Sequence, residues 1–145
     1  MRWPPRDHII RQVELAAASD PELRAARCTF VVVGAGYTGT EVAAQGVLLT
    51  AELARGNHEL AGQPMRWLLL DLAPRVLPEL DPRLAVTADR VLRERGVQVL
   101  TRTSVDEATA EGVRLSNGKF VATRSLIWCV WGYVPTRWST CSGCR

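Results

Sequence analysis

The sequence lacks any concentrated block of positive charge. Lys119 is its only lysine, and its arginines are scattered, with no aromatic residues interleaved along a basic stripe. The formal net charge over 145 residues is only +3. Because nucleic-acid binding depends on a clustered basic surface, this composition gives no support for a nucleic-acid partner.

Long apolar runs are also absent. No stretch approaches the roughly 20 apolar residues that cross a bilayer, and residues 1–5 lack the apolar core of a signal peptide. The hydrophobic share of 47% is that of an ordinary globular protein. We therefore expect one soluble, cytoplasmic domain that is long enough to bury its own core.

Histidine is scarce, and no catalytic constellation of polar residues is recognisable. His8 and His58 are far apart, and the lack of a third ligand argues against a zinc site. We expect each histidine to be solvated or to lie at a helix end. No Ser/His/Asp arrangement can be assembled from the spacing. If this protein performs catalysis, a bound cofactor supplies the chemistry.

The four cysteines fall into two groups. Cys28 and Cys129 lie in apolar, strand-like contexts, where a buried free thiol is usual. Cys141 and Cys144 have the Cys-x-x-Cys spacing of a redox pair or of half a zinc site. No second pair accompanies them, so this spacing carries little weight.

The most informative segment is residues 29–44. Five strand-forming residues lead into a Gly-x-Gly-x-x-Gly turn, and a helix-forming stretch follows at once. In a dinucleotide-binding turn of this kind, Gly34 permits the tight turn, Gly36 lets the backbone approach a pyrophosphate, and Gly39 lets helix and strand pack closely. The order of strand, glycines and helix therefore predicts a nucleotide site.

The residues after Gly36 are candidate ligand contacts. The backbone N–H groups of Tyr37, Thr38 and Gly39 would face the phosphates at the positive end of the helix dipole. The Tyr37 side chain either covers the pyrophosphate or fills the crevice. Glu41 is expected in the first turn of the helix, where its charge either complements the dipole or lies near the nicotinamide.

Asp71 follows the second predicted strand, residues 65–70. A carboxylate at this position accepts hydrogen bonds from the adenosine ribose and repels a 2′-phosphate, which favours NAD over NADP. Arg75 is a candidate contact for a 2′-phosphate, so NADP stays open. In the alternative interpretation, Asp71 only caps the turn that follows it.

Capping residues predict where the other helices begin. A lead-in helix has Asp7 as its N-cap, and a second, short helix begins at the capping-box spacing of Ser19 and Glu22. Asp81 and the proline after it open a helix that ends near Gly96.

The remaining segments read as strands. After a third strand at 97–100, segments 105–110, 113–116 and 119–123 form a meander, and 125–130 is a further parallel strand. Asn117-Gly118 predicts a hairpin turn with positive φ at both positions. We therefore predict an α/β fold, an incomplete Rossmann-like parallel sheet with a β-meander crossover.

Four stretches together resemble the NADH-binding domain of FAD-dependent pyridine nucleotide-disulfide oxidoreductases, most closely that of type II NADH dehydrogenases. They are residues 30–41, 68–78, 112–118 and 126–130. The resemblance implies an NAD-binding domain at 28–130. It also implies that residues 1–27 are lead-in helices from an FAD-binding domain that is missing here.

The resemblance further implies the cofactors, the partners and the activity. This segment would bind NADH, the full-length family member would also bind FAD, and electrons would pass from NADH through the flavin to quinone. Full-length members are often at the cytoplasmic face of the membrane, attached through segments missing here, and homodimer formation stays open. Alone, the fragment is expected to be inactive. Two alternatives stay open: a standalone NAD-binding module and a non-functional truncated product.

The last residues, 131–145, depart from every earlier pattern. Trp131 stands where the family has a glycine that lets the chain pass close to the cofactor. Read in a neighbouring frame, suitable codons would permit a continuation typical of the family. We therefore expect 131–145 to be an out-of-frame tail in which Cys141 and Cys144 have no selected role.

Overall fold

The computed structural model describes residues 5–130. The helices are α1 (Pro5–Ala17), α2 (Pro21–Arg27), α3 (Tyr37–Arg55), a 3-10 turn (His58–Leu60) and α4 (Pro82–Glu94). The strands are β1 (Thr29–Val33), β2 (Arg66–Leu70), β3 (Val97–Leu100), β4 (Val105–Ala108), β5 (Gly112–Leu115), β6 (Phe120–Ala122) and β7 (Ser125–Trp128). The expected out-of-frame tail, with Cys141 and Cys144, lies outside the described residues.

Four strands form a parallel sheet in the order β3-β2-β1-β7. Strand β1 is buried along its whole length, as expected for a parallel strand with both faces covered. The register pairs Val33 with Leu70 on one side and with Trp128 on the other. The carboxyl ends of these strands therefore meet at one edge, where ligands bind in open α/β sheets. The predicted α/β fold is confirmed.

The remaining strands form an antiparallel sheet in the order β4-β5-β6. This meander connects β3 to β7 and packs against one face of the parallel sheet. Val31 and Val33 of β1 belong to the core between the two sheets, together with Val113 and Leu115 of β5. The predicted meander crossover is therefore present, and it buries one face of the parallel sheet.

The other face of the parallel sheet packs against the helices. Phe30 of β1 stacks on Trp67 of β2 with ring centroids 4.6 Å apart. Helix α3 lies directly on this pair, since a Cβ added at Gly46 would overlap the Trp67 ring. The Trp67 indole Nε1 donates to Thr50 Oγ1 at 3.1 Å, which satisfies its buried polar group. Alternating residues of β1 thus serve two separate cores.

Two of the predicted helix caps are wrong. Helix α1 begins at Pro5, so Asp7 lies in its first turn rather than at its N-cap. Helix α2 is capped by Asp20, whose Oδ1 accepts from the Leu23 N–H at 2.9 Å. Ser19 instead donates its hydroxyl to the Leu15 carbonyl oxygen of α1 at 2.7 Å, because it lies only two residues beyond the end of that helix. The Asp81 cap of α4 is confirmed.

The hairpin at Asn117 forms with a different turn. The Gly118 N–H donates to the Leu115 carbonyl oxygen at 2.9 Å, and the Leu115 N–H donates to the Lys119 carbonyl oxygen at 2.8 Å. Gly118 has a φ of +85°, whereas Asn117 keeps a negative φ. The loop therefore has three residues, an ordinary turn followed by a left-handed glycine, and the expected positive φ at Asn117 is wrong.

The two histidines occupy different environments. His58 has a side chain that is 92% exposed, as expected. His8 is half-buried, and its Nε2 lies 2.9 Å from Ser125 Oγ, which joins α1 to β7. Of the two expected environments, His8 therefore has the second, since it is partly buried and lies in the first turn of α1. Burial lowers the pKa of His8 from 6.5; the positive charge of Arg11 acts in the same direction, and the Arg124 backbone acts in the opposite one.

The burial of the His8 imidazole makes the free energy of unfolding depend on pH. Because the folded-state pKa lies below the unfolded value of 6.5, this contribution is fully present above that value and is lost as pH falls below it. Urea unfolding at about pH 7.5 and about pH 5 should show a smaller acid loss in His8→Gln than in the unsubstituted chain. An acid loss in His8→Gln equal to that of the unsubstituted chain would contradict this assignment.

Candidate nucleotide-binding site

The glycine turn lies at the carboxyl edge of the parallel sheet, directly after β1. The Gly34 N–H donates to the Leu70 carbonyl oxygen of β2 at 2.7 Å. On the other side, the Cys129 N–H donates to the Val33 carbonyl oxygen at 2.8 Å. The ladder therefore continues to the base of the turn, which lies between the ends of the two neighbouring strands.

The three glycines meet different steric demands. Gly34 has a φ of +104°, and a Cβ there would lie 2.8 Å from Val130 Cγ2. A Cβ at Gly39 would overlap the Gly34 carbonyl oxygen, so only glycine lets α3 begin this close to the turn. Gly36 has an ordinary φ of −76°. No atom lies within 4 Å of a Cβ built there on the described chain. Packing thus explains Gly34 and Gly39 but leaves the space at Gly36 open.

Helix α3 begins directly after Gly36. Gly36 is the N-cap and supplies no side-chain hydrogen bond to the helix end. The first helical bond runs from the Thr40 N–H to the Gly36 carbonyl oxygen at 3.0 Å. The N–H groups of residues 37–39 precede that bond and are the unpaired donors of a helix start. Residues 36–38 are exposed and Gly39 is buried.

The positions of two candidate side chains are now defined. Tyr37 is 62% exposed, so it does not fill a crevice in this structure. Glu41 is exposed, and it lies in the second turn of α3 because the helix begins at Tyr37. The expectation of a first-turn position is therefore wrong. Glu41 Oε1 accepts a hydrogen bond from Gln45 Nε2 at 3.2 Å.

Asp71 is brought to the glycine turn from 36 residues away. Its Oδ2 accepts from the Ala35 N–H at 2.7 Å. Its Oδ1 accepts from the Ala73 N–H at 2.8 Å. The carboxylate therefore caps the turn that follows it and also touches the backbone between the first two glycines. Each oxygen retains capacity for a further donor.

The loop after β2 also contacts the carbonyl group of Ala35. The Leu77 N–H donates to the Ala35 carbonyl oxygen at 2.8 Å, and Thr40 Oγ1 donates to the same oxygen at 3.2 Å. Sequence reasoning missed Ala35 and Leu77, since both contribute through backbone groups. An apolar residue in a loop carries no signal of that role.

Arg75 is engaged within the same loop. Its Nη2 donates to the carbonyl oxygens of Pro78 at 2.9 Å and Leu80 at 3.2 Å. These bonds tie the guanidinium to its own segment. A contact with a 2′-phosphate would have to compete with them.

No other chemical centre accompanies the turn in residues 5–130. No three His, Cys, Asp or Glu side chains in this range are placed to hold a metal ion together. Cys28 is a buried free thiol, as expected, and Cys129 is a half-buried one. Burial raises the pKa of both thiols, although the charge of Arg24 partly opposes this at Cys28. Both therefore stay protonated near neutral pH. No helix among these residues combines the length and apolar content needed to cross a membrane.

The chain matches one known protein family. The sequence profile of the pyridine nucleotide-disulphide oxidoreductases matches residues 6–144. The chain belongs to this family. The resemblance carried by the glycine turn, the Asp71 segment and the meander is thus confirmed.

Curated relatives include two proteins of Mycobacterium tuberculosis. Type II NADH:quinone oxidoreductase NdhA is 39% identical over 112 residues, which is 76% of this chain and 24% of that protein. Type II NADH:quinone oxidoreductase Ndh is 34% identical over 129 residues, which is 87% of this chain and 28% of that protein. The chain therefore spans about a quarter of the length of these relatives.

Solved structures share the fold. NDH2 from Plasmodium falciparum, in complex with NADH, superposes with a TM-score of 0.79 at 18% identity, over 90% of this chain and 28% of that one. Putidaredoxin reductase, in its covalent complex with putidaredoxin, gives a TM-score of 0.53 at 29% identity, over 69% of this chain and 22% of that one. The fold of the described residues is thus shared with these solved structures.

Alanine substitutions at Gly39 and Gly36 should distinguish a glycine that close packing requires from one that borders open space. Gly39→Ala places a methyl group against the Gly34 carbonyl, and we expect it to lower the free energy of unfolding by about 1–3 kcal/mol. Gly36→Ala meets no atom and should cost less than about 1 kcal/mol, the scale of an N-cap change. Urea unfolding of both variants measures the difference. Equal losses would contradict the steric assignment.

Proposed function

We propose that this chain is the NADH-binding module of an FAD-dependent NADH dehydrogenase. The observation that carries the proposal is the open space at Gly36, the N-cap of α3, whose neighbour Ala35 donates its N–H to the Asp71 carboxylate. Membership of the pyridine nucleotide-disulphide oxidoreductases and the two mycobacterial NADH:quinone oxidoreductases support the choice of ligand.

The helix start would hold the pyrophosphate. The backbone N–H groups of Tyr37, Thr38 and Gly39 are donors without side-chain competition at this helix end. The 19 residues of α3 add the positive end of a helix dipole. Gly36 keeps the approach free of a side chain, because a Cβ built there meets no atom within 4 Å. The exposed Tyr37 ring would then cover the phosphates from the solvent side.

Asp71 would hold the adenosine ribose. Ala35 and Ala73 already fix its two oxygens, so the carboxylate is oriented before a ligand arrives. The remaining lone pairs can accept from the ribose hydroxyls, whereas a 2′-phosphate would meet a negative charge. The loop bonds of Arg75 add to the preference for NADH over NADPH. Glu41 is exposed one turn further along α3, and we include it as a contact near the nicotinamide.

The chemistry of the whole protein would come from its bound groups. NADH supplies a hydride, and FAD, held by parts of the protein other than this turn, supplies the route for electrons to quinone. The role of the described residues is to bind and orient NADH. Because the chain spans about a quarter of its curated relatives, we propose no reaction for it by itself.

Alanine at the two ends of α3 tests the binding site. Gly36→Ala should weaken NADH binding at least about tenfold, because its methyl group occupies the space proposed for the phosphates. Gly56→Ala is the matched control at the opposite end of the helix, and its affinity should equal that of the unsubstituted chain. Isothermal titration calorimetry measures both affinities.

The same titration tests the choice of nucleotide. NADPH should bind about tenfold more weakly than NADH, since a 2′-phosphate adds charge next to Asp71.

An unsubstituted, folded chain that gives no heat with NADH would refute the proposed function. Equal binding by Gly36→Ala would refute the placement of the phosphates.

A turnover assay tests whether the chain binds NADH without oxidising it. We expect the purified 145-residue chain to bind NADH but to show no NADH oxidation with added FAD and a soluble quinone, because the described site only binds the nucleotide. Absorbance at the reduced nicotinamide band follows the reaction. Stoichiometric flavin retention together with steady turnover would overturn the view of the chain as a binding module.

A further inference from the structure

Two residues other than glycine adopt left-handed backbone conformations in residues 5–130. Leu77, in the loop after β2, has a φ of +47°, and Arg102, in the turn after β3, has a φ of +52°. This region costs an L-residue about 1 kcal/mol or more, and Asn or Asp usually occupies it when glycine does not. Strain of this kind often marks functional sites. Leucine and arginine have no intrinsic preference for positive φ, so the surrounding structure must hold both residues in this conformation.

Both strained residues donate backbone hydrogen bonds to the same network. The Leu77 N–H reaches the Ala35 carbonyl oxygen at 2.8 Å, and the Arg102 N–H reaches the Ala73 carbonyl oxygen at 3.1 Å. Ala35 and Ala73 are the two residues whose N–H groups hold the Asp71 carboxylate. The two strained positions therefore hold the carbonyl groups of the same two residues whose N–H groups orient Asp71.

Arg102 joins this network through its backbone. The residue is exposed. Its side chain makes no hydrogen bond or ion pair within residues 5–130. Leu77 differs, because its side chain is only 8% exposed and also fills the core. Arg102 is thus the position at which the backbone effect can be separated from packing.

We propose that Arg102 is a positioning residue for the nucleotide site. Its left-handed backbone directs an N–H to the Ala73 carbonyl; the Ala73 N–H fixes Asp71 Oδ1; and Asp71 Oδ2 fixes the Ala35 N–H in the glycine turn. The turn after β3 therefore sets the geometry of the turn after β1. The ligand in this inference, NADH, rests on the proposed function, whereas the chain of hydrogen bonds does not.

The proposal predicts which substitutions the position tolerates. Glycine adopts positive φ without strain, so Arg102→Gly keeps the backbone geometry and removes only the side chain. Valine is branched at Cβ and strongly disfavours this region, so Arg102→Val should displace the N–H. Arg95→Gly removes an arginine at the end of α4, where φ is −79°, and serves as the charge control.

The experiment uses the full 145-residue chain and two readouts. Amide hydrogen exchange, read by NMR without ligand, should be about tenfold faster at Ala35 and Ala73 in Arg102→Val and within about twofold of normal in Arg102→Gly. Calorimetry should show NADH binding about tenfold weaker in Arg102→Val and unchanged in Arg102→Gly and Arg95→Gly. Thermal unfolding checks that each variant is folded.

Each outcome decides the inference. Normal exchange at Ala35 and Ala73 in Arg102→Val would overturn it. If Arg102→Gly binds NADH as weakly as Arg102→Val, the guanidinium itself contacts the ligand and the backbone role is wrong. If Arg102→Val does not fold, Arg102→Thr replaces it, because threonine is also branched at Cβ, and faster exchange at the same two amides is expected. A chain that binds no NADH refutes the proposed function, while the exchange rates still decide the role of Arg102.

Discussion

The hydrogen bond from the Ala35 N–H to Asp71 Oδ2, at 2.7 Å, joins the two halves of the candidate site. Parallel pairing places Val33 beside Leu70, so the segments that follow them start from one edge of the sheet. The carboxylate then fixes the glycine turn, and the turn fixes the start of α3. One contact between two loops thus brings together the spaces that we propose for a phosphate and for a ribose.

The carboxyl edge of the parallel sheet is held in place because one face of the sheet packs against the helices and the other against the meander. Phe30 and Trp67 stack under the helices, while Val31 and Leu68 face the meander. Strand β1 is buried along its length and β2 is buried from Trp67 onward, and such close packing leaves little room for these strands to move relative to one another. Helix α3 is also held close, because Gly39 has no side chain to keep it away from the turn. The open space at Gly36 therefore lies on a rigid support rather than in a loose loop.

Sequence reasoning worked where a feature is local. The strand before Gly34, the glycine spacing and the carboxylate after β2 all follow from short patterns, and the structure places them together. It failed by a residue or two at element ends, such as Glu41 and Ser19, because neighbouring residues compete to cap a helix and a short pattern does not settle which one wins. It also did not indicate the partner of His8, which lies 117 residues away along the chain.

The sequence by itself determined the family, the fold class and the glycine turn, because each depends on residue types at fixed spacing. Only the tertiary structure decided how Asp71 is held and which residues hold it. Leu77 and Arg102 act through backbone N–H groups at unusual φ, and Ala35 and Ala73 act through their peptides. Every residue except proline carries the same backbone donor, so such a role leaves no mark on the choice of side chain and depends on where folding brings the loops.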